Sequence, residues 1–219
     1  DQVDQLMADV RRQEETTRQY ELRALSSQIN PHFLYNTLDT IIWMAEFQDS
    51  QRVVQVTKSL ATYFRLALNQ GKDLICLSDE INHVRQYLFI QKQRYGDKLD
   101  YEIDENPAFD NLVLPKLVLQ PLVENALYHG IKEKDGQGHI KLSVQKKDSG
   151  LVIRIEDDGV GFQAVGDSSQ SNLKRGGVGL QNVDQRLKLH FGENYQMKIN
   201  SAPEKGTTVE IYINRIETS

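Results

Sequence analysis

Two aspartates followed by spaced glycines, Ile155-Glu156-Asp157-Asp158-Gly159-Val160-Gly161-Phe162, form one candidate site in the chain. A strand-like run delivers the carboxylates, and the glycines let the backbone turn tightly behind them. Gly159-x-Gly161-x-x-Ala164 nearly fits a dinucleotide fingerprint, but charge argues against that reading. Two aspartates directly before the glycines would repel a pyrophosphate held there. A carboxylate in this place suits a neutral donor instead, such as the exocyclic amine of adenine. A polar β-turn remains the competing reading of this motif alone.

A second glycine cluster, Gly176-Gly177-Val178-Gly179-Leu180, opens an amphipathic run in which Leu180, Val183, Leu187 and Phe191 share a face. Glycines at a helix N-terminus free backbone N–H groups to cradle phosphate, and the helix dipole assists. A flexible helix start is the plainer alternative. No GxxxxGK[ST] pattern occurs, so a P-loop is excluded. Glu124-Asn125 is a polar pair inside the apolar run 114–130. An asparagine oxygen is a hard neutral ligand, fit for Mg²⁺ already neutralised by phosphates; a solvent-facing Glu-Asn step is the alternative. In Gln28-Ile29-Asn30-Pro31-His32-Phe33-Leu34-Tyr35-Asn36, helical geometry turns His32 away from Leu34 and Ile41, with Asn36 one turn later on its own face. An exposed imidazole near neutral pH offers a lone pair for attack. A plain surface histidine is the competing reading. His83, His139 and His190 lack partners at ligand spacing and read as structural or surface residues.

These groups need elements to hold them. The first 70 residues contain no glycine and one proline, and read as helices. Residues 1–21 look like a solvated connecting helix. The spacing predicts one helix through Leu25, Ile29, Leu34, Leu38 and Ile41, bent at Pro31. A helix start with Asn30 as N-cap and Pro31 first is the other possibility. Residues 50–70 carry an apolar stripe (Val53, Thr57, Leu60, Phe64, Ala67, with Val54, Ala61 and Leu68) too wide for one helical hairpin to bury. Two hairpins packed as a four-helix bundle would cover it, so a dimer is expected. Trp43 and Tyr63 read as packing residues of the hairpin. All 14 glycines lie at or after position 71. The pattern there predicts strands 74–77, 98–104, 138–147, 150–157, 195–200 and 207–214, with helices 79–95, 115–130 and 178–191. Hairpins with segregated helices make an α+β sandwich. The division expected is 1–21, 22–72 and 73–219, with a mobile loop at 163–176.

Composition narrows the classes. The 219 residues carry a net charge of −5 with both signs interspersed, which argues against a nucleic-acid binder. One cysteine, Cys76, permits neither an intrachain disulfide nor a cysteine-based zinc site and fits a reducing cytosol. No run approaches the roughly 18 apolar residues of a membrane span. The chain starts at Asp1 without a methionine, as a fragment of a longer protein would.

Taken in order, the four motifs resemble those of the LytS/YesM-like sensor histidine kinases. Residues 22–95 resemble that group's phospho-acceptor region, and 74–214 its GHKL (Bergerat-fold) ATPase domain. The resemblance implies an autokinase using ATP and Mg²⁺, with His32 phosphorylated and the phosphoryl group passed to an aspartate of a response regulator. It implies a homodimer forming the cytoplasmic portion of a bacterial membrane sensor. By the same resemblance, Asn125 binds Mg²⁺, Asp157 meets the adenine amine at the Gly159/Gly161 turn, and Gly177 and Gly179, before Leu180, hold phosphates. Thr207 supports the adenine side. The loop 163–176 looks like a lid, with Lys174 or Arg175 meeting phosphate.

The sequence departs from the broader kinase pattern at three places. Phe33 follows the histidine where many histidine kinases have an acidic residue, which leaves Glu124 as a candidate base. Pro121 stands where gyrase-type ATPases place a catalytic glutamate. Tyr128 replaces a lysine common in the asparagine motif, so His129 or Lys132 is expected to supply that contact. Asn36 stands where related kinases have a residue that assists phosphatase activity. A GHKL ATPase of another class and a dimeric pseudokinase scaffold are the rival readings.

Overall fold

The computed structural model describes residues 31–68, 73–163 and 177–214. The expected connecting helix, the bend at Pro31 and the loop carrying Lys174 and Arg175 lie outside these. Helices α1 (Pro31–Glu46) and α2 (Ser50–Leu68) form a hairpin. Its turn contains Gln48 at φ 58°, and the Asp49 carboxylate accepts the Arg52 N–H at 3.1 Å, fastening the first turn of α2.

Strand β1 (Leu74–Cys76) runs straight into helix α3 (Leu77–Tyr95), which ends where Gly96 turns with φ 58°. Next come β2 (Leu99–Asp104), β3 (Val113–Pro115) and α4 (Gln120–Asn125), which widens into a π turn over Ala126–Ile131. The chain continues through β4 (Gly138–Lys147), β5 (Gly150–Asp157), α5 (Gly177–Phe191), β6 (Tyr195–Ala202) and β7 (Gly206–Ile213). Five strands form one sheet in the order β2-β4-β5-β7-β6, parallel only between β2 and β4. β1 and β3 pair antiparallel as a separate ribbon.

The period-2 pattern of the strands divides the sheet into two faces. Ile140, Leu142 and Val144 of β4, Ile153 and Ile155 of β5, and Val209 and Ile211 of β7 are buried under the helices. The other face carries ion pairs, Lys141 with Glu102 at 2.8 Å and Arg154 with Glu210 at 2.7 Å. The α+β sandwich read from the sequence is the fold that forms.

Two expectations are corrected. The helix expected over 115–130 starts only at Gln120. Residues 117–119 turn instead, Leu117 with φ 57°, and their N–H groups go to the Glu80 carboxylate rather than into a helix. Pro121 then fits the first turn of α4, where its missing N–H costs nothing. The second correction concerns the hairpin. Its buried stripe is Val56, Leu60, Tyr63 and Ala67, and α3 is what covers it. Val54 and Trp43 are 49% and 64% exposed in the single chain, alongside Leu38, Ile42 and Phe47.

The hairpin meets α3 through an aromatic cluster. Phe33 lies 4.8 Å from the Tyr63 ring and 5.2 Å from that of Tyr87. Tyr63 stacks on His83 at 4.3 Å. Both His83 nitrogens are buried without a hydrogen-bond partner, and burial lowers its pKa to about 4, so the ring is neutral at pH 7. Replacing Phe33 with alanine would empty a site that is 2% exposed. The expected loss is about 3–5 kcal/mol, read as a lower urea midpoint at unchanged slope; an unchanged midpoint would show that this ring is not part of the core.

Candidate active site

The end of β5 is where the chemistry gathers. Register sets Asp157 between Ile140 of β4 and Thr207 of β7. The π turn passes directly over it. Val160 N–H donates to the Gly130 carbonyl at 3.3 Å, and a Cβ on Gly130 would sit 2.6 Å from Asp157 Oδ1. A Cβ on Gly159 would overlap the Gly130 backbone, and one on Gly206 would overlap the Asp157 carbonyl. Three chain segments thus touch backbone to backbone, which only glycine permits.

Beside this contact lies a cavity of about 240 Å³. Asn125 and His129 border it from the helix, Asp157 and Gly161 from the aspartate turn, Thr207 from β7, and Gly177 and Leu180 from the first turn of α5. The Lys132 N–H bond to the Leu127 carbonyl at 2.8 Å marks the wide i→i+5 spacing of the π turn; Asn125 and His129, four residues apart, share the face toward the cavity. Its volume is below the ~300–1,000 Å³ of pockets that enclose a whole drug-sized ligand. It suits one small group of a larger ligand whose remainder lies outside.

Asp157 is the charged group at the cavity floor. Burial pushes its pKa up from 3.8 to about 6, against the N–H groups of Gly159 and Thr207 that favour the carboxylate. The Gly159 N–H bond is 3.0 Å long. Asp158 points elsewhere: it accepts the His139 N–H at 2.7 Å and pairs with Lys134 at 2.9 Å, tying down the loop before β4.

The other residues singled out in the sequence fall in different places. Gly159 serves the close packing and does not border the cavity. Gly179 is exposed with open space around it. Lys132 sits outside, its ammonium 5.8 Å from the centre of the Tyr128 ring. Glu124 faces the hairpin: Gln120 Nε2 donates to its carboxylate and to the Tyr63 hydroxyl, each at 2.7 Å. Burial raises its pKa. His32 is exposed on α1, with the Asn36 amide nitrogen 3.0 Å from its Nδ1. Its neighbour Phe33 is buried. The imidazoles of His139 and His190 lie against Asp100 and the Val113 carbonyl, respectively. Sequence reading missed the apolar walls, Phe162, Ile199 and Val209 among them. Alternation along β6 and β7 marks the last two as inward-facing but cannot tell cavity wall from core.

Comparison with known proteins places this arrangement. Residues 20–99 match the family model for histidine kinases. Residues 111–216 match the family of histidine kinase-, DNA gyrase B- and HSP90-like ATPases, so the cavity belongs to an ATP-binding module. The chain is 34% identical over 211 residues to the sensor histidine kinase YesM of Bacillus subtilis, covering 96% of this chain and 36% of YesM. It is 37% identical over 206 residues to YwpD of the same organism, covering 91% and 72%. The solved histidine kinase domain of the Erythrobacter litoralis EL346 blue-light activated kinase shares the fold, with a TM-score of 0.52 at 19% identity over 90% of this chain and 95% of that one. The chain belongs to the sensor histidine kinases, in the LytS/YesM-like group. It spans about a third of the length of YesM, 36%.

Gly130→Ala tests the geometry. The added methyl must displace the Asp157 carboxylate, and overpacking of this kind costs about 1–3 kcal/mol. Thermal melting should show that loss together with weakened nucleotide binding; a variant that binds like the parent would mean the close approach does not shape the cavity.

Proposed function

We propose that this chain is the kinase core of a sensor protein and transfers the terminal phosphoryl group of ATP to His32. A bond forms between an imidazole nitrogen and phosphorus, the bond to the bridging oxygen breaks, ADP leaves, and the ring proton goes to solvent. The observation that carries the reading is the convergence of Asn125, Asp157, Gly161, Gly177 and Thr207 on one cavity from four separate segments, in a chain whose His32 ring is exposed. Such chemistry needs placement and charge neutralisation more than covalent help.

Each residue has a task in this reading. Asp157 accepts the adenine amine, with Thr207 beside it. Gly177 and Gly179 free the N-terminus of α5 for phosphate; the expected contacts from Lys174 or Arg175 lie outside the described residues. His129 reaches the ligand from the π turn, whereas Lys132 and Glu124 face away. Position 33 supplies no base, because phenylalanine has no proton acceptor, and its ring packs against two tyrosines instead. Asn36, against the imidazole, is placed to orient the ring and to serve a phosphatase step.

Asn125 fits a Mg²⁺ role. It borders the cavity, and its buried amide nitrogen, without a protein partner, calls for an acceptor such as a phosphate oxygen, which leaves Oδ1 as the atom a cation would take. Among the described residues no three histidine, cysteine or acidic side chains gather as a metal cluster. A bound Mg²⁺ would take one protein oxygen here, with phosphate and water as its other ligands, and would neutralise phosphate charge.

The exposed apolar row Leu38, Ile42, Trp43, Phe47 and Val54 fits a second copy of the hairpin, giving a dimer through residues 22–72. Residues 73–219 then form the catalytic unit, and the chain before the hairpin carries input from a membrane sensor. A response-regulator aspartate receives the phosphoryl group. Among the described residues no helix is long and apolar enough to cross a membrane.

Incubation with γ-labelled ATP should give an acid-labile, base-stable phosphoprotein, and His32→Gln should abolish it. Steady ATP turnover without a phosphoprotein would sink the proposal. Nucleotide affinity should also depend on pH. The Asp157 carboxylate must be ionised to accept the amine, so with its pKa at about 6 affinity should level off above that pH. Below it, affinity should fall by about tenfold per unit. A flat profile from pH 5 to 7.5 would remove Asp157 from the base contact.

A further inference from the structure

Glu80 is 0% exposed, and none of the roles assigned above uses it. It sits in the first turn of α3, yet its carboxylate does not cap its own helix. Leu117 N–H donates to one oxygen at 2.9 Å, and Val118 and Leu119 N–H donate to the other at 2.6 and 2.8 Å. Successive amides converging in this way make an anion nest, here filled by the protein's own carboxylate. The nest holds Leu117 at φ 57°, a conformation a branched side chain rarely adopts unless its surroundings impose it.

The next residue, Gln120, opens α4. Asn125 and His129 therefore hang from a helix whose start and direction are set at the nest. The positive charge of Arg186 on α5 also favours the ionised form of this carboxylate. One buried group thus joins α3 to the turn before the asparagine helix.

We propose that Glu80 is a positioning residue for the nucleotide: it aims α4 so that Asn125 and His129 meet the ligand opposite Asp157 and the first turn of α5. This rests on the reading of the cavity as a nucleotide site. Glutamine has the same shape but one acceptor oxygen, and its NH₂ would face an amide N–H. At least one backbone donor of the nest then loses its partner, and the turn loosens while the cavity residues stay chemically intact.

The test uses Glu80→Gln in this chain, with far-UV circular dichroism for fold, a fluorescent ATP analogue for affinity, and phosphoramidate, which phosphorylates histidine without a nucleotide site. The expected result is native helix content, nucleotide affinity weakened roughly tenfold or more, and unchanged labelling of His32 by phosphoramidate. Adding Leu117→Gly, which relieves the strained φ, should recover part of the affinity. Equal affinity for parent and Glu80→Gln would overturn the positioning role, even if the variant melts lower. A parent that binds no nucleotide would overturn the cavity reading itself and this role with it. If Glu80→Gln does not fold, Glu80→Asp, shorter by one methylene, decides by the same comparison: weakened nucleotide with intact phosphoramidate labelling supports the role, and unchanged affinity overturns it.

Discussion

Everything at the cavity depends on three stretches of backbone lying closer than side chains allow. Gly130 rests against Asp157, Gly159 against Gly130, and Gly206 against the Asp157 carbonyl. The contact joins the helix that carries Asn125 to the sheet that carries Asp157 and Thr207. It also excludes water from the aspartate, which is why that carboxyl titrates near 6 and not near 4. A buried acceptor at the floor of a small apolar cavity rewards a ligand that brings a hydrogen and penalises one that does not, since an unpaired buried group costs its desolvation. Selectivity for a ligand that donates a hydrogen at this point thus follows from packing.

The hairpin is attached to the same body by mixed forces. Phe33, Tyr63 and Tyr87 supply apolar contact, and Gln120 links the Tyr63 hydroxyl to Glu124. The residue after His32 and the residue before Asn125 are therefore two ends of one short chain of contacts. Its cost is visible in His83, whose nitrogens go unsatisfied so that its ring can stack on Tyr63. An interface with such a penalty is held less tightly than its area suggests.

Much of this was readable beforehand, and the reasons differ by residue. Alternation exposed β4, β5 and β7 because each buries one face only. Asp157 and the glycines around it announced themselves because tight backbone contact and a buried charge leave few residue choices. The start of α4 was misplaced because Pro115 and an unbroken apolar run imitate a helix, while the competing partner, Glu80, lies 37 residues from Leu117. The docking of α2 onto α3 was missed for a similar reason. A stripe shows that a face is covered, but says nothing of what covers it. Glu124 and Asn125 are adjacent and polar, and only the three-dimensional arrangement reveals that they face different neighbours.

The π turn at Ala126–Ile131 has a consequence for how this segment can change over generations. A helix that closes through five residues rather than four contains, in effect, one inserted residue. Deleting one position there would restore ordinary winding and leave the chain beyond it in register. The residues inside the turn would be re-spaced, Gly130 against Asp157 and His129 against the cavity. Shortening this stretch would therefore be felt at the cavity before it was felt in the sheet.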